Sequence, residues 1–424
     1  MPKFAAAPFY DSRELTPGMS ADFEIDAQEF DRRRALARRL GSPAWLWPEV
    51  TVSAWAEAVS ELSKAVAAIL AGGRASLPCC DRMALSLACY TTGIGPLLGF
   101  WLQAGTLRAD AEVAALLELH LEHSRERCER VSTKARKIVR ELTRNTYPVV
   151  VLKGGHTAYS YFPDPATRPS SDLDLLVPSD QVQLAEAVLA KAGFQSVSRT
   201  VRESSWVLGG ERREPRSLWM VHADDPWSVD LHSSLDFSAS PGAPLVRLDG
   251  ANLFESVGVW QLEPSACVLQ QPNLLLHLAV HASGGLHSLT LLRMVEIVLM
   301  IRQDSATGRL SWDEFLELAQ RTGGLGAAYP ALRLSDKLAP GTVPHEVLAC
   351  SAAAAPARVK NVIEKLEPAT AQRVHRASIG EHFMWVAGVG GWLRQLGCDL
   401  VPERELWPVY QARTYRLLRG RFSL

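Results

Sequence analysis

The chain has almost no surplus of charge. Its 45 Lys and Arg face 46 Asp and Glu, for a formal net charge of −1 over 424 residues. A protein built to hold long nucleic acid shows a basic surplus, so nucleic acid is not the expected partner. Organised cysteine is also missing. The seven (Cys79, Cys80, Cys89, Cys128, Cys267, Cys350 and Cys398) are odd in number, scattered, and contain no C-x-x-C pair. That argues against a disulfide framework and a zinc site, and suits a reducing compartment. No stretch reaches the roughly 18 uninterrupted apolar residues of a membrane span. The opening MPKFAAAPFYDSRELTPGMS lacks the apolar core of a signal peptide. A cytoplasmic protein with no membrane partner is therefore expected. No internal repeat is visible. VAGVGG near Val386 has neither a preceding strand nor G-x-G-x-x-G spacing, and reads as a turn.

What is present is ordinary in bulk. Hydrophobic residues make up 47% and charged residues 21%, which permits a large core. The length suggests roughly two or three domains. Residues 1–20 carry no periodic pattern and read as disordered. From 21 to 145 the pattern is helical. After Arg108, Val113, Leu117, Leu121, Ser124, Cys128, Val131, Ala135, Ile138 and Leu142 recur at three- and four-residue steps, the seam of one long amphipathic helix. Its other face carries Arg125, Arg127, Arg130, Lys134, Arg136, Lys137 and Arg140, either a solvated face or an anion-binding one.

The texture changes at Tyr147. YPVVVLKGG is a β-branched run ending in glycines, a strand and a tight turn. DLDLLV follows as a second strand, and SDQVQLAEAVLAKAGF as a helix with Ser179 as its cap and Gly193 as its stop. Further strands are expected at 194–198, 205–208, 218–222 and 227–232. CVLQQPNLLLHLAVHAS and LHSLTLLRMVEIVLMIRQ then read as apolar helices, with shorter ones continuing to the end. The expected fold is α+β: a small mixed-sheet core at 146–250, flanked by helical regions at 21–145 and 251–424.

The chemistry concentrates in RPSSDLDLLV, residues 168–177. Asp172 and Asp174 lie two apart in a strand, so both carboxylates project from one face. Side by side they repel, and a divalent cation removes that conflict; magnesium prefers one or two carboxylates plus phosphate oxygens. The plainer reading is a solvated strand end. Upstream, Lys153-Gly154-Gly155 could let backbone N–H groups and a point charge approach a phosphate. Arg168 could pair with a carboxylate or a phosphate oxygen. Downstream, SVDLH places Asp230 in another short apolar run. A third carboxylate facing the first two can share a metal and take a proton from an attacking group. His277 and His281 lie four apart on one helix, a metal pair or two histidines lining a cleft.

The combination of LKGG, RPSSDLDLLV and VDLH resembles the uncharacterised nucleotidyltransferase family of the polymerase-β-like superfamily. ACYTTGIGPLLGFWLQAG, LLLHLAVHAS and LLRMVEIVLMI resemble its flanking helices, so the likeness covers most of 54–302. It implies Asp172, Asp174 and Asp230 as catalytic, metal-holding carboxylates. It implies Lys153, Gly154, Gly155, Arg168 and Ser171 on the nucleotide, and His232, His277, His281 and Arg293 in the substrate cleft. The implied cofactor is Mg²⁺ or Mn²⁺, with a nucleoside triphosphate as co-substrate and a hydroxyl or amine of a small molecule or peptide as acceptor. Natural-product tailoring belongs to the same implication. Two departures stand out: no serine follows Gly155, and Glu296 stands where an aspartate is expected. Two other readings remain open. One is a non-catalytic nucleotide- or peptide-binding protein; the other is a phosphoryl or glycosyl transferase using the same metal–phosphate site.

Overall fold

A computed structural model describes residues 23–400, apart from 41–42, 79–80, 201, 212, 240–242, 287–288, 373–382 and 387. The expected disorder at 1–20 and any helix beyond 400 lie outside the described residues. Within them the expected α+β fold is observed.

Five helices open the chain: α1 (Ala27–Leu40), α2 (Val52–Leu70), α3 (Arg82–Thr92), α4 (Gly95–Gln103) and α5 (Ala111–Asn145). Side-chain caps start four of them; at α1, Asp26 accepts from the Glu29 N–H. Thr51, Asp81 and Asp110 accept from the main-chain N–H groups of Ala54, Ala84 and Val113. A short parallel pair, β1 (Ala75–Ser76) and β2 (Leu107–Arg108), ties together the chain on either side of α3 and α4. At 35 residues α5 runs unbroken, as its periodicity predicts. Its first half buries Leu116, Leu117 and Leu119 in the larger core, and its second half buries Ala135, Ile138, Val139 and Leu142 against the sheet. One helix therefore spans both cores.

The sheet is built from β3 (Val150–Val151), β4 (Asp172–Leu176), β5 (Phe194–Arg199), β6 (Glu203–Leu208), β7 (Ser228–His232), β8 (Val257–Val259) and β9 (Cys267–Leu269). Their order is β5-β6-β7-β4-β3-β9-β8. Helices α6 (Lys153–Tyr161) and α7 (Val182–Lys191) interrupt the early strands. Alternation along β4 sends Leu173 and Leu175 into the core shared with α5 and α7, so Asp172 and Asp174 face the other way. That side is covered by α8 (Asn273–Ala282) and α9 (Leu291–Ala306). Helices α10 (Trp312–Arg321), α11 (Leu325–Leu338), α12 (His345–Ala354), α13 (Ala357–Lys365) and α14 (Gly388–Leu400) complete the described chain, with α11 packed on α8 and α9.

Several expectations need correction. The boundary at 250 cuts through the sheet, because β8 and β9 lie beyond it and β9 pairs in parallel with β3. Cys267–Leu269 is thus a strand within a stretch read as helix; Val268 is buried beside β3, and the helix starts only after Pro272. Residues 218–222 form no strand. There Trp47 Nε1 donates to the Leu218 carbonyl (2.7 Å), Ser86 Oγ to that of Trp219 (3.0 Å), and Asp225 accepts from the N–H groups of Arg216 and His222. The run is apolar because helices cover it. Gly388–Gly391 opens α14 where a turn was expected, and a Cβ on Gly391 would sit 2.6 Å from Val386 Cγ1, so the glycine serves close packing.

The basic face of α5 is neither simply solvated nor turned to an anion. Arg127 donates to the carbonyls of Ser170 and Pro226, and Arg130 to those of Ala223 and Asp225. Lys134 pairs with Glu211, Arg125 with Asp164 and Arg140 with Glu263. All but the last of these contacts hold the loops that lead into β4 and β7; Arg140–Glu263 holds the turn between β8 and β9. Among the described residues no single helix is long and apolar enough to cross a membrane.

The crossing of α4 over α5 depends on a glycine. A Cβ on Gly99 would lie 2.4 Å from the Leu117 carbonyl oxygen, which is backbone and cannot step aside. Gly99→Ala should therefore destabilise by about 1–3 kcal/mol through overpacking. The control Gly397→Ala, with no atom within 4 Å of its added Cβ, should be neutral or slightly stabilising. Denaturant midpoints of the two variants against the parent check this.

Candidate active site

Strands β4 and β7 run parallel, with Asp174 opposite Asp230 and Asp172 opposite Ser228. Residues two apart on one strand and opposite on the next share a face. The register alone therefore brings the three carboxylates together, with ligand oxygens all within 4.8 Å of one another. Each has a different environment. Ser170 Oγ lies 3.0 Å from Asp172 Oδ1. Asp174 is buried, and one oxygen, Oδ1, takes both Lys153 Nζ at 2.6 Å and His232 Nε2 at 2.9 Å. Burial would raise its carboxyl, but the hydrogen bond from His232 and the charge of Lys153 hold it well below the usual carboxylate range. For Asp230 burial dominates and pushes the carboxyl up. The Ser205 hydrogen bond opposes that push, and the charges of Asp172 and Asp174 add to it.

Asp230 Oδ1 is buried with no hydrogen-bond partner among the described residues. An orphaned carboxylate oxygen beside two further carboxylates is what a divalent cation would satisfy, so the donor set fits such an ion. The group of Asp172, Asp174 and Asp230 is the only metal-ligating cluster among the described residues. His277 and His281, with ring centroids 6.0 Å apart, belong to no such cluster. They line cavities beside the carboxylates. Burial and the charge of Lys153 pull His277 down to about 3 and His281 well below the ordinary value, so both rings are neutral.

Lys153 follows β3 directly and adopts φ 41°, a left-handed conformation that a side chain enters only under constraint. It reaches a carboxylate in this structure. Gly154 and Gly155 are sites of close packing. A Cβ on Gly154 would lie 2.3 Å from Arg168 Nη1, and one on Gly155 2.8 Å from Val151 Cγ1. The Gly155 carbonyl also accepts from Trp260 Nε1 (2.8 Å). Arg168 reaches Glu296 of α9 through two hydrogen bonds, Nε to Oε1 at 3.0 Å and Nη2 to Oε2 at 3.1 Å. The glutamate that departs from the family pattern thus ties α9 to the loop before β4. Thr157 of α6 donates to the same carboxylate.

Between the carboxylates and α8–α9 lies a cleft of about 480 Å³. Lys153, Gly154, Arg168, Ser171 and the three aspartates line it on one side, and His281, Arg293 and Glu296 on the other. His232 lies behind Asp174, on a second cavity. Arg293 is the notable member. Burial and the charge of Arg168 pull its pKa down, but a guanidinium stays protonated in proteins. Its side chain has no hydrogen bond or ion pair among the described residues. The sequence reading missed Arg127, Ser170, Glu203 and Ser205. Arg127 and Arg130 were visible only as a basic face, and nothing in their spacing said that carbonyls lay opposite.

A family model described as uncharacterised nucleotidyltransferase matches residues 85–340. That is more than half of the chain and takes in the sheet, the carboxylates and both walls of the cleft. The chain belongs to this family and is an enzyme of the nucleotidyltransferase type. No curated protein matches it, and no solved structure does.

Removing one partner of a buried ion pair leaves a charge without compensation, at about 3–5 kcal/mol. Glu296→Gln strips Arg168 of its counter-charge and should destabilise by that amount. Far-UV circular dichroism through a denaturant series would register it; an unchanged midpoint would mean that Arg168 finds water or another acceptor.

Proposed function

We propose that this family member transfers a nucleoside monophosphate from a nucleoside triphosphate to a hydroxyl or amine of a small molecule or peptide, with Mg²⁺ or Mn²⁺ bound by Asp172, Asp174 and Asp230. The observation that carries this reading is the juxtaposition across one cleft of three carboxylates and the uncommitted cation of Arg293. A bound divalent cation supplies neutralisation of phosphate charge and alignment of the attacking and leaving oxygens. The chain's own residues do the rest. Lys153 and His232 keep Asp174 anionic, so its ligand charge is permanent. Asp230, pushed toward protonation by burial and its neighbours, suits a group that must take up a proton. The acceptor oxygen bonds to the α-phosphorus, its proton passes to Asp230, and the bond to pyrophosphate breaks. Arg293 is placed to bind phosphate oxygens as the charge on them shifts.

A binding protein without catalysis has no use for all three carboxylates, one of them with an orphaned oxygen. Phosphoryl and glycosyl transfer would use the same metal–phosphate half, and the mass added to the acceptor separates them from nucleotidyl transfer. A cytoplasmic setting agrees with the scattered cysteines. A place in natural-product tailoring rests on the family resemblance alone.

The test is incubation with each α-labelled triphosphate, Mg²⁺ or Mn²⁺ and the small-molecule fraction of a cell extract, followed by mass spectrometry. A mass gain of one nucleoside monophosphate with pyrophosphate release is expected, and both should vanish in Asp172→Asn. Gain of a phosphate or a sugar would replace this reading. Asp230→Asn should keep triphosphate binding and lose turnover by about 10²- to 10⁴-fold. Joint loss of fold and activity would make Asp230 structural. Arg293→Ala should raise the KM for triphosphate by roughly tenfold to a hundredfold, the loss of a charged hydrogen bond. An unchanged triphosphate KM would remove Arg293 from the phosphate site.

A further inference from the structure

Behind the ion pair of Lys153 and Asp174 lies a second cavity of about 240 Å³. It shares Lys153, Glu203 and His281 with the carboxylate cleft, so the two spaces meet at that wall. Its walls are mixed. Leu235, Phe237, Leu248 and Val280 give it an apolar floor, and His277, His232 and Glu203 give it polar sides. Phe237 is held in place: its main chain pairs with Val246 in both directions (2.9 and 2.8 Å), and its ring packs where a Cβ on Gly284 would come within 2.8 Å.

The charges here are mostly committed. Arg202 donates to the Asp236 carbonyl at 2.5 Å, Asp236 Oδ1 accepts from the Asp249 N–H at 3.0 Å, and Lys153 is paired with Asp174. Arg202 keeps its charge, since its hydrogen bond goes to a neutral carbonyl, but the half-exposed Glu203 carboxylate faces the same cavity and would repel phosphate. A triphosphate therefore belongs in the larger cleft with Arg293. What the second cavity leaves open is hydrogen bonding to neutral groups. His277 is 4% exposed, and its Nε2 has no partner among the described residues. A buried polar atom without a partner is uncommon enough to require an explanation.

We propose that this cavity is the acceptor subsite, and that it takes a neutral, hydroxyl-rich group about the size of one sugar ring. The inference rests on the nucleotidyl-transfer reading. His277 Nε2 and the Glu203 carboxylate hydrogen-bond hydroxyls at the rim. The C–H face of the ring lies on Phe237, Leu248 and Val280. The cavity, about 240 Å³, has room for one ring. The wall of Lys153, Glu203 and His281 leads from here to Asp230, which lines the cleft beside Glu203. A hydroxyl projecting past that wall is delivered to the group proposed to take its proton.

The experiment uses the full chain with α-labelled triphosphate, Mg²⁺ and three probes: methyl glucoside, inositol and glycerol. Adduct formation is followed by mass and pyrophosphate release by initial rate, in the parent and in His277→Phe and Glu203→Gln. Triphosphate affinity is measured separately by calorimetry with a non-hydrolysable analogue. At least one ring probe should accept the nucleotidyl group. Both variants should raise its KM by roughly tenfold, with analogue affinity little changed; kcat should stay near the parent's in His277→Phe, while Glu203→Gln, which also removes a charge acting on Asp230, is read on KM alone. Glu203 is half-exposed, so its variant reads the subsite even if His277→Phe folds poorly. Undiminished adduct formation in Glu203→Gln, or label passing to water but to none of the probes, would overturn the subsite and leave the transferase reading standing. No analogue binding and no pyrophosphate release would overturn both.

Discussion

Three carboxylates within 4.8 Å of one another are a strain that the surrounding structure has to answer. Two unit charges at 4 Å repel by about 4 kcal/mol at an effective dielectric of about 20. That is a large part of the roughly 5–15 kcal/mol that keeps a domain folded. The parallel pairing of β4 and β7 creates the problem, because in-register strands place Asp174 beside Asp230. The neighbours answer it one oxygen at a time. Lys153 and His232 converge on Asp174, Ser170 on Asp172 and Ser205 on Asp230. What they leave over, a buried oxygen on Asp230, is where a cation fits.

The same crowding accounts for the framework. Carboxylates that repel would drift apart unless the strands carrying them were held from outside the sheet. Helix α5 does this through Arg127, whose guanidinium binds the carbonyl before β4 and the one before β7 together. Glu296 does it from the opposite side, joining α9 to the same loop through Arg168. A buried pair of this kind is weak evidence for stability, since desolvation offsets much of the attraction. Its effect here is geometric. Loop, helix and carboxylate strand meet at one carboxylate, so the width of the cleft is set by the length of two side chains.

How much of this was legible follows from how local each signal is. The aspartate strand was readable because alternation is a property of five adjacent residues, and α5 because its seam repeats over about eight turns. Asp230 could be named from its apolar neighbours, but its partner strand could not, since 58 residues separate His232 from Asp174 and no local pattern encodes that pairing. Strands β8 and β9 are three residues each, too short to show alternation. The run at 218–222 failed for the opposite reason. Its apolar residues carry a burial signal, and burial under helices looks the same in one dimension as burial in a sheet. Arg168 and the two glycines were read as nucleotide contacts; the structure adds what the sequence did not show, that Arg168 pairs with Glu296, Gly154 packs against Arg168 and Gly155 against Val151. A motif preserves residue types, and does not say which neighbour each one is touching.

The difference between Asp174 and Asp230 is the most instructive consequence of the sheet order. They occupy equivalent positions on adjacent parallel strands and point the same way. Yet one carboxyl is held far below the usual range and the other is pushed up. Strand position decides this. On its other edge β4 borders β3, and the residue that ends that turn is Lys153. On its other edge β7 borders β6, which offers the hydroxyl of Ser205 and the charge of Glu203. Under the proposed function, a fixed anion and a proton acceptor are made from the same side chain by different neighbours. The proposed transfer at phosphorus uses one of each, and a central pair of parallel strands with unlike flanks supplies both from two identical side chains.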